Sequence, residues 1–314
     1  MADGKWVTGL TPDAPVADAA RAVLAERFAV VREFLPLAAG RAWEDPEFVH
    51  QLRVGTRRAG AALRAFAAAL PPKPLVATKR ALRAVRRAAG DARDWDVFLA
   101  ALPGTKPLAT AAAKPALDFL MGYACGQRAT AQARLVEAEA QRGAKFGTLS
   151  AGLPGRARAP EGDDAPATFG ALAGRQLGEL LRALTDAAAA NPAAPAQLHA
   201  LRITAKRLRY AIEIFAPCFP PALRDTVYPA VERVQEVLGS VQDAHVGLAR
   251  LAAVRAHTGQ ALPKQLARVK RGLDALGASL RARVPAGTKA FARWRTEWAE
   301  LVAGLKFEVL AGTL

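Results

Sequence analysis

Apolar residues recur along this chain at helical spacing, with almost no strand-like alternation. Val16, Ala20, Val23, Leu24, Phe28, Val31 and Leu35 trace one face of a first helix. Pro12, Asp13 and Pro15 mark its start, and Gly40 marks its end. The segment EDPEF opens a second helix, which Pro71-Pro72 closes. At about 100° per residue its Leu52, Ala59, Leu63, Phe66 and Leu70 fall on one side. His50, Arg53, Arg57 and Arg64 fall on the other, within a sector of about 60°. A third helix, from about Leu75, sets Leu82, Val85 and Ala89 against a stripe of Lys79, Arg83, Arg86 and Arg93, with Arg80 and Arg87 on its flank. A fourth spans 111–141. The stretch 143–167 is rich in Gly, Pro and small polar residues without a hydrophobic period, so it predicts a linker with mobile Arg156 and Arg158.

After the linker the pattern returns. Helices are predicted over 168–190, through the His199 segment to Phe215, and over 222–251, 262–283 and 287–306. The His199 helix carries His199, Arg202 and Lys206 opposite Leu201, Leu208, Ile212 and Phe215. His50 and His199 lie 149 residues apart, as do Phe66 and Phe215, Pro71 and Pro220, Gly90 and Gly239, and Asp94 and Asp243. An ungapped match of that length predicts two similar helical repeats, 13–142 and 168–306, joined by the linker 143–167. A pseudo-twofold arrangement would bring the two His/Arg faces together. The copies differ chemically: 149 residues beyond Arg64, Lys79, Arg83, Arg86 and Arg93 stand Glu213, Tyr228, Glu232, Gln235 and Gln242. Any polyanion track is therefore expected to lean towards the first repeat.

Composition sharpens this picture. Helix-forming Ala, Leu and Arg dominate, which makes the fold class all-α. The 314-residue chain has 44 Lys+Arg against 28 Asp+Glu, a net charge of +16. Such an excess points to a polyanionic partner: nucleic acid, an acidic membrane or inorganic polyphosphate. An Arg-rich proteome alone is the plainer explanation of the total, but not of clustered rows. The N-terminus lacks an apolar signal region and no run approaches ~18 uncharged apolar residues, so a soluble, cytoplasmic protein without a membrane partner is expected. The two cysteines, Cys125 and Cys218, are expected to be buried free thiols.

The histidines have no metal-ligand spacing, and neighbouring arginines would repel a cation. No metal or cofactor is expected. An anion suits His50 and His199 better, because it would favour the imidazolium, and Arg offers phosphate bidentate donors. His245 and His257 read as structural. Arg58 and Arg207 lie off the stripe and are candidate partners for Asp94 and Asp243. No phosphate-binding loop, nucleophile elbow or Mg²⁺-holding acidic cluster occurs, so no catalytic residue is assigned and no enzyme is expected.

VHQLRVGTRRAGAALRAF followed by RRAAGDARDWDVFL, and LHALRITAKRLRYAIEIF followed by LGSVQDAHV, resemble the two halves of a CHAD domain, the conserved histidine α-helical domain. The likeness covers about residues 13–283. It implies two four-helix bundles about a basic groove that binds inorganic polyphosphate, and residence on polyphosphate granules. The family's motif residues fall on His50, Arg53, Arg57, Arg58, His199, Arg202, Lys206 and Arg207; the helical wheel adds Arg64, Lys79, Arg83, Arg86 and Arg93. Relatives fused to a triphosphate-tunnel (CYTH) barrel show alternating Glu and Lys, which is missing here, so that enzyme's activity is not expected. A nucleic-acid-binding module and a scaffold for another protein are the rival expectations. The few aromatic residues among the cations argue against base stacking.

Overall fold

The computed structural model describes residues 4–304. Its helices are α1 (Val16–Gly40), α2 (Glu47–Ala65), α3 (Pro72–Ala101), α4 (Lys114–Gly152), α5 (Phe169–Ala189), α6 (Pro195–Phe215), α7 (Tyr228–Ala261) and α8 (Pro263–Gly304). Among the described residues no strand forms; one isolated bridge pairs Pro15 with Thr168. The all-α expectation holds.

Within each half every helix packs on the next, α4 returns to α1, and α8 touches α5. The larger joins between the halves are α2 against α6 and α4 against α8, and α1 also meets α5. The main core is continuous across them. Phe66 of the first half sits with Phe169 and Phe215 of the second, at ring separations of 6.3 and 6.4 Å, and the latter two rings are 5.4 Å apart. A smaller cluster lies where α3, α4, α7 and α8 come together, with Leu102, Leu120, Leu251, Leu273 and Leu276 buried in it.

Several sequence expectations give way. Helix α4 continues eleven residues beyond the predicted 141, to Gly152, because Phe146 is buried edge-on against Phe28 of α1, 5.8 Å away. Packing there outweighs the poor helix propensity of Gly143 and Gly147. What remains of the linker is pinned: Leu153, Pro154 and Ala157 are buried, and Arg158 N donates to Ala69 O at 2.9 Å. The two predicted C-terminal helices are one, since α8 runs through Pro285. Both flanks of that proline rest on α7, with Gly287 so close to Val241 that an added Cβ would lie 2.2 Å from its Cγ2. Continuous packing carries the helix across the lost amide bond. α7 likewise runs to Ala261, ten residues past 251, with Val254 and Thr258 buried. Cys125 is exposed and Cys218 only half-buried. Cys125 sits one residue past buried Ala124, just off the packed face of α4.

Candidate functional site

The polar faces of α2 and α6 meet. Arg57 of α2 lies close enough to Arg202 and Lys206 of α6 to act on both electrostatically, and Arg53 also acts on Lys206. From α3, Arg86 joins Arg57 and Arg83, while Arg93 stands near His50. Arg207 of α6 reaches Arg64, which in turn acts on Lys79. The structure thus links His50, Arg53, Arg57, Arg64, Lys79, Arg83, Arg86, Arg93, Arg202, Lys206 and Arg207 as electrostatic neighbours along α2, α3 and α6. His50 is half-buried, whereas His199 is exposed at the start of α6. His245 and His257 are exposed on α7.

The price of this arrangement appears in the proton affinities. Lys206 is pushed down to about 8, first by burial and then by Arg202, Arg57, Arg53 and Arg209. Burial, reinforced by neighbouring arginines, lowers Arg53, Arg64 and Arg86 as well. His50 is lowered by burial; Glu47 offsets part of this, and Arg93, Arg53 and Arg57 add to it. Arg202 Nε is shut away from solvent with no acceptor among the described residues. This is a site charged against its own stability.

The carboxylates are few and specifically used. Asp94 pairs with Arg53 at 3.1 Å, not with Arg58. Asp243 acts on Arg202, not on Arg207. The wheel placed Arg58 near the apolar boundary correctly, but α2 turns that boundary towards α6. There Arg58 Nε donates to buried Glu213 at 2.8 Å. Tyr228 hydroxyl donates to the same carboxylate at 2.9 Å. Arg58 is therefore committed to holding the halves together rather than free in the groove.

Sequence reasoning noticed the Gly-x-x-x-Asp echo without seeing its use. A Cβ on Gly90 would lie 2.8 Å from Arg53 Nη1, and one on Gly239 would lie 3.6 Å from Arg202 Nη2. Each glycine seats the guanidinium that the aspartate one turn later attracts. Tyr210 was also missed: buried on α6, it lies close enough to Arg53, Arg64 and Arg86 to act on all three. Arg250 of α7 stacks over Trp95 of α3, 3.9 Å from the ring centroid, and over Phe98 at 4.8 Å, bridging α7 to α3. No short spacing in the sequence signals that contact.

A paired-helix protein with a cationic interior track is what this geometry defines. The CHAD domain family model matches residues 22–252, and the chain belongs to that family. Solved structures agree in fold. The CHAD domain from the plant Ricinus communis is 24% identical over 90% of this chain and 94% of its own, with a TM-score of 0.70. PptA from Streptomyces chartreusis is 20% identical over 90% of this chain and 99% of its own, with a TM-score of 0.67. Comparison with curated proteins gives no match. No helix among the described residues is long and apolar enough to cross a membrane, and none of their His, Cys, Asp and Glu side chains cluster in threes that could hold a metal.

Proposed function

We propose that the groove between α2–α3 and α6–α7 binds inorganic polyphosphate without catalysis, and that the protein resides in the cytoplasm on polyphosphate granules. One observation carries the reading: Lys206 sits among Arg202, Arg57, Arg53 and Arg209 with its proton affinity pushed down to about 8. Cations are gathered this closely only where an anion relieves their repulsion. A linear chain of phosphates supplies that anion at repeated spacing, and guanidinium groups match its oxygens in pairs. Membership of the CHAD family supports the choice of polymer.

A nucleic acid would also be attracted, but the rings near the groove are poorly placed for stacking. Trp95 is already covered by Arg250, and Trp294 and Trp298 are buried. Long-chain polyphosphate and double-stranded DNA should be compared over a salt series for wild type and Arg53→Ala/Arg57→Ala. Tight polyphosphate binding that DNA does not displace, weakened at least a hundredfold in the double variant, is expected. Affinity should fall as salt rises, because each bound phosphate displaces counterions. Equal binding of both polymers, indifferent to the two arginines, would reduce the groove to diffuse charge.

A further inference from the structure

Outside the groove, α3 and α4 leave an open cleft of about 560 Å³. Its apolar lining is Ala77, Ala81 and Ala84 with Val76 at the edge; Lys73, Arg80, Arg142 and Lys145 also line it, and no carboxylate does. Val76 is 64% exposed there.

The second half shows what such a cleft is shaped to hold. The residues 149 beyond Ala81, Arg142 and Lys145 are Ala230, Phe291 and Trp294. Trp294 lies over Ala230 and donates its indole N–H to that residue's carbonyl oxygen at 2.8 Å. Phe291 and Trp298 stack on either side of it, at 5.8 and 5.4 Å, and all three rings are buried. In the first half the floor alanine is kept while the aromatic pair is replaced by two cations. The space is left open and its rim turned basic.

We infer that this cleft docks a partner protein through a tryptophan flanked by carboxylates, the ring resting on Ala77, Ala81 and Ala84 and the acids on Lys73, Arg80, Arg142 and Lys145. Burial of one large aromatic side chain in a preformed pocket, ringed by charge pairs, is the usual anatomy of an interface hot spot. The apolar floor offers nothing to an inorganic phosphate chain. A lipid surface is a poor fit because the cleft is concave and Val76 is the one large apolar side chain exposed at its edge. This inference is independent of what the central groove binds.

The test uses the full chain and a fluorescein-labelled peptide, Glu-Glu-Leu-Trp-Glu-Glu, with a Trp→Ala version as control, read by anisotropy. Replacing the tryptophan should weaken binding at least tenfold. Arg142→Phe/Lys145→Trp, which copies the filled half, should weaken it as much while raising Tm. Arg80→Glu, on an exposed position, should give a similar loss in a protein that melts as wild type and retains polyphosphate binding. Equal affinity of the two peptides would overturn the proposal. So would peptide binding lost in Arg53→Ala/Arg57→Ala, which would put the peptide in the groove. Phosphatidylglycerol vesicles that bind wild type but not Arg80→Glu, with no peptide binding, would give the cleft to a membrane instead.

Discussion

Two contacts between α2 and α6, equivalent by the 149-residue offset, have opposite chemistry. At one, Arg58 meets Glu213 in a buried ion pair that also holds Tyr228. At the other, Arg207 meets Arg64, and the two cations repel. The four positions are related pairwise, since Arg207 is the counterpart of Arg58 and Glu213 that of Arg64. One change of sign separates a clasp on one side from a pair of like charges on the other. Each half contributes one partner to the clasp and one to the like-charge pair.

Breaking the clasp should have the largest effect. Glu213→Ala leaves Arg58 uncompensated at the centre of the molecule, and a loss of about 3 kcal/mol is expected in denaturant unfolding. Polyphosphate affinity of the folded fraction should change little. If stability is unchanged, the ion pair is not what joins the halves.

Making the two contacts alike is the next test. Arg64→Glu restores at the second contact the charge pair of the first. Polyphosphate affinity should drop about tenfold while stability rises by no more than about 0.5 kcal/mol, because Arg64, although partly desolvated by its neighbours, keeps its side chain at the surface. Unchanged affinity in a titration would remove Arg64 from the track.

A smaller effect separates the two glycine seats. Gly90→Ala must displace the Arg53 guanidinium, whereas Gly239→Ala makes only an ordinary contact with Arg202. Polyphosphate binding should weaken a few-fold in the first and hardly at all in the second. Neither should lower Tm, since alanine is favoured over glycine in a helix by about 1 kcal/mol. Equal effects on binding would contradict the geometry.

The smallest effect is on pH. Free Lys206 loses its proton around pH 8, and a bound polyanion raises that value, so binding takes up a proton above pH 8 and affinity should decline as pH rises further. Calorimetry in buffers of different ionisation enthalpy reads the uptake directly. Lys206→Arg should flatten the dependence. The same depressed value has the reverse sign for the free protein: between about 8 and the ordinary lysine range the unfolded chain binds the extra proton, so this group's contribution to stability increases with pH.

Most of the architecture was legible because helical period survives in a long amphipathic face. The rows of α2 and α6 could be placed on a wheel, and the offset said they could face each other. What failed were judgements made from one helix alone. Gly143, Gly147 and Pro285 looked like breaks, yet contacts with α1 and α7 keep the helices going. Arg58 looked like a partner for Asp94, but α6 offers it a buried carboxylate that no local spacing announces. Trp95 takes its partner Arg250 from a helix 155 positions further on. Periodicity tells which face is polar. It does not tell which neighbour the face will meet.

The aromatic trio Phe66, Phe169 and Phe215 has a consequence for how the chain must be made. Its rings come from the C-terminal cap of α2, from α5 and from α6, so no cut between the repeats leaves either piece with a finished interior. Synthesised alone, the first repeat would present Phe66 to solvent and wait for its complement. Nicked by a protease at the exposed Glu161–Gly162 bond after folding, the protein should instead elute as one particle and show two bands only in detergent. The fold is duplicated in sequence but indivisible in assembly.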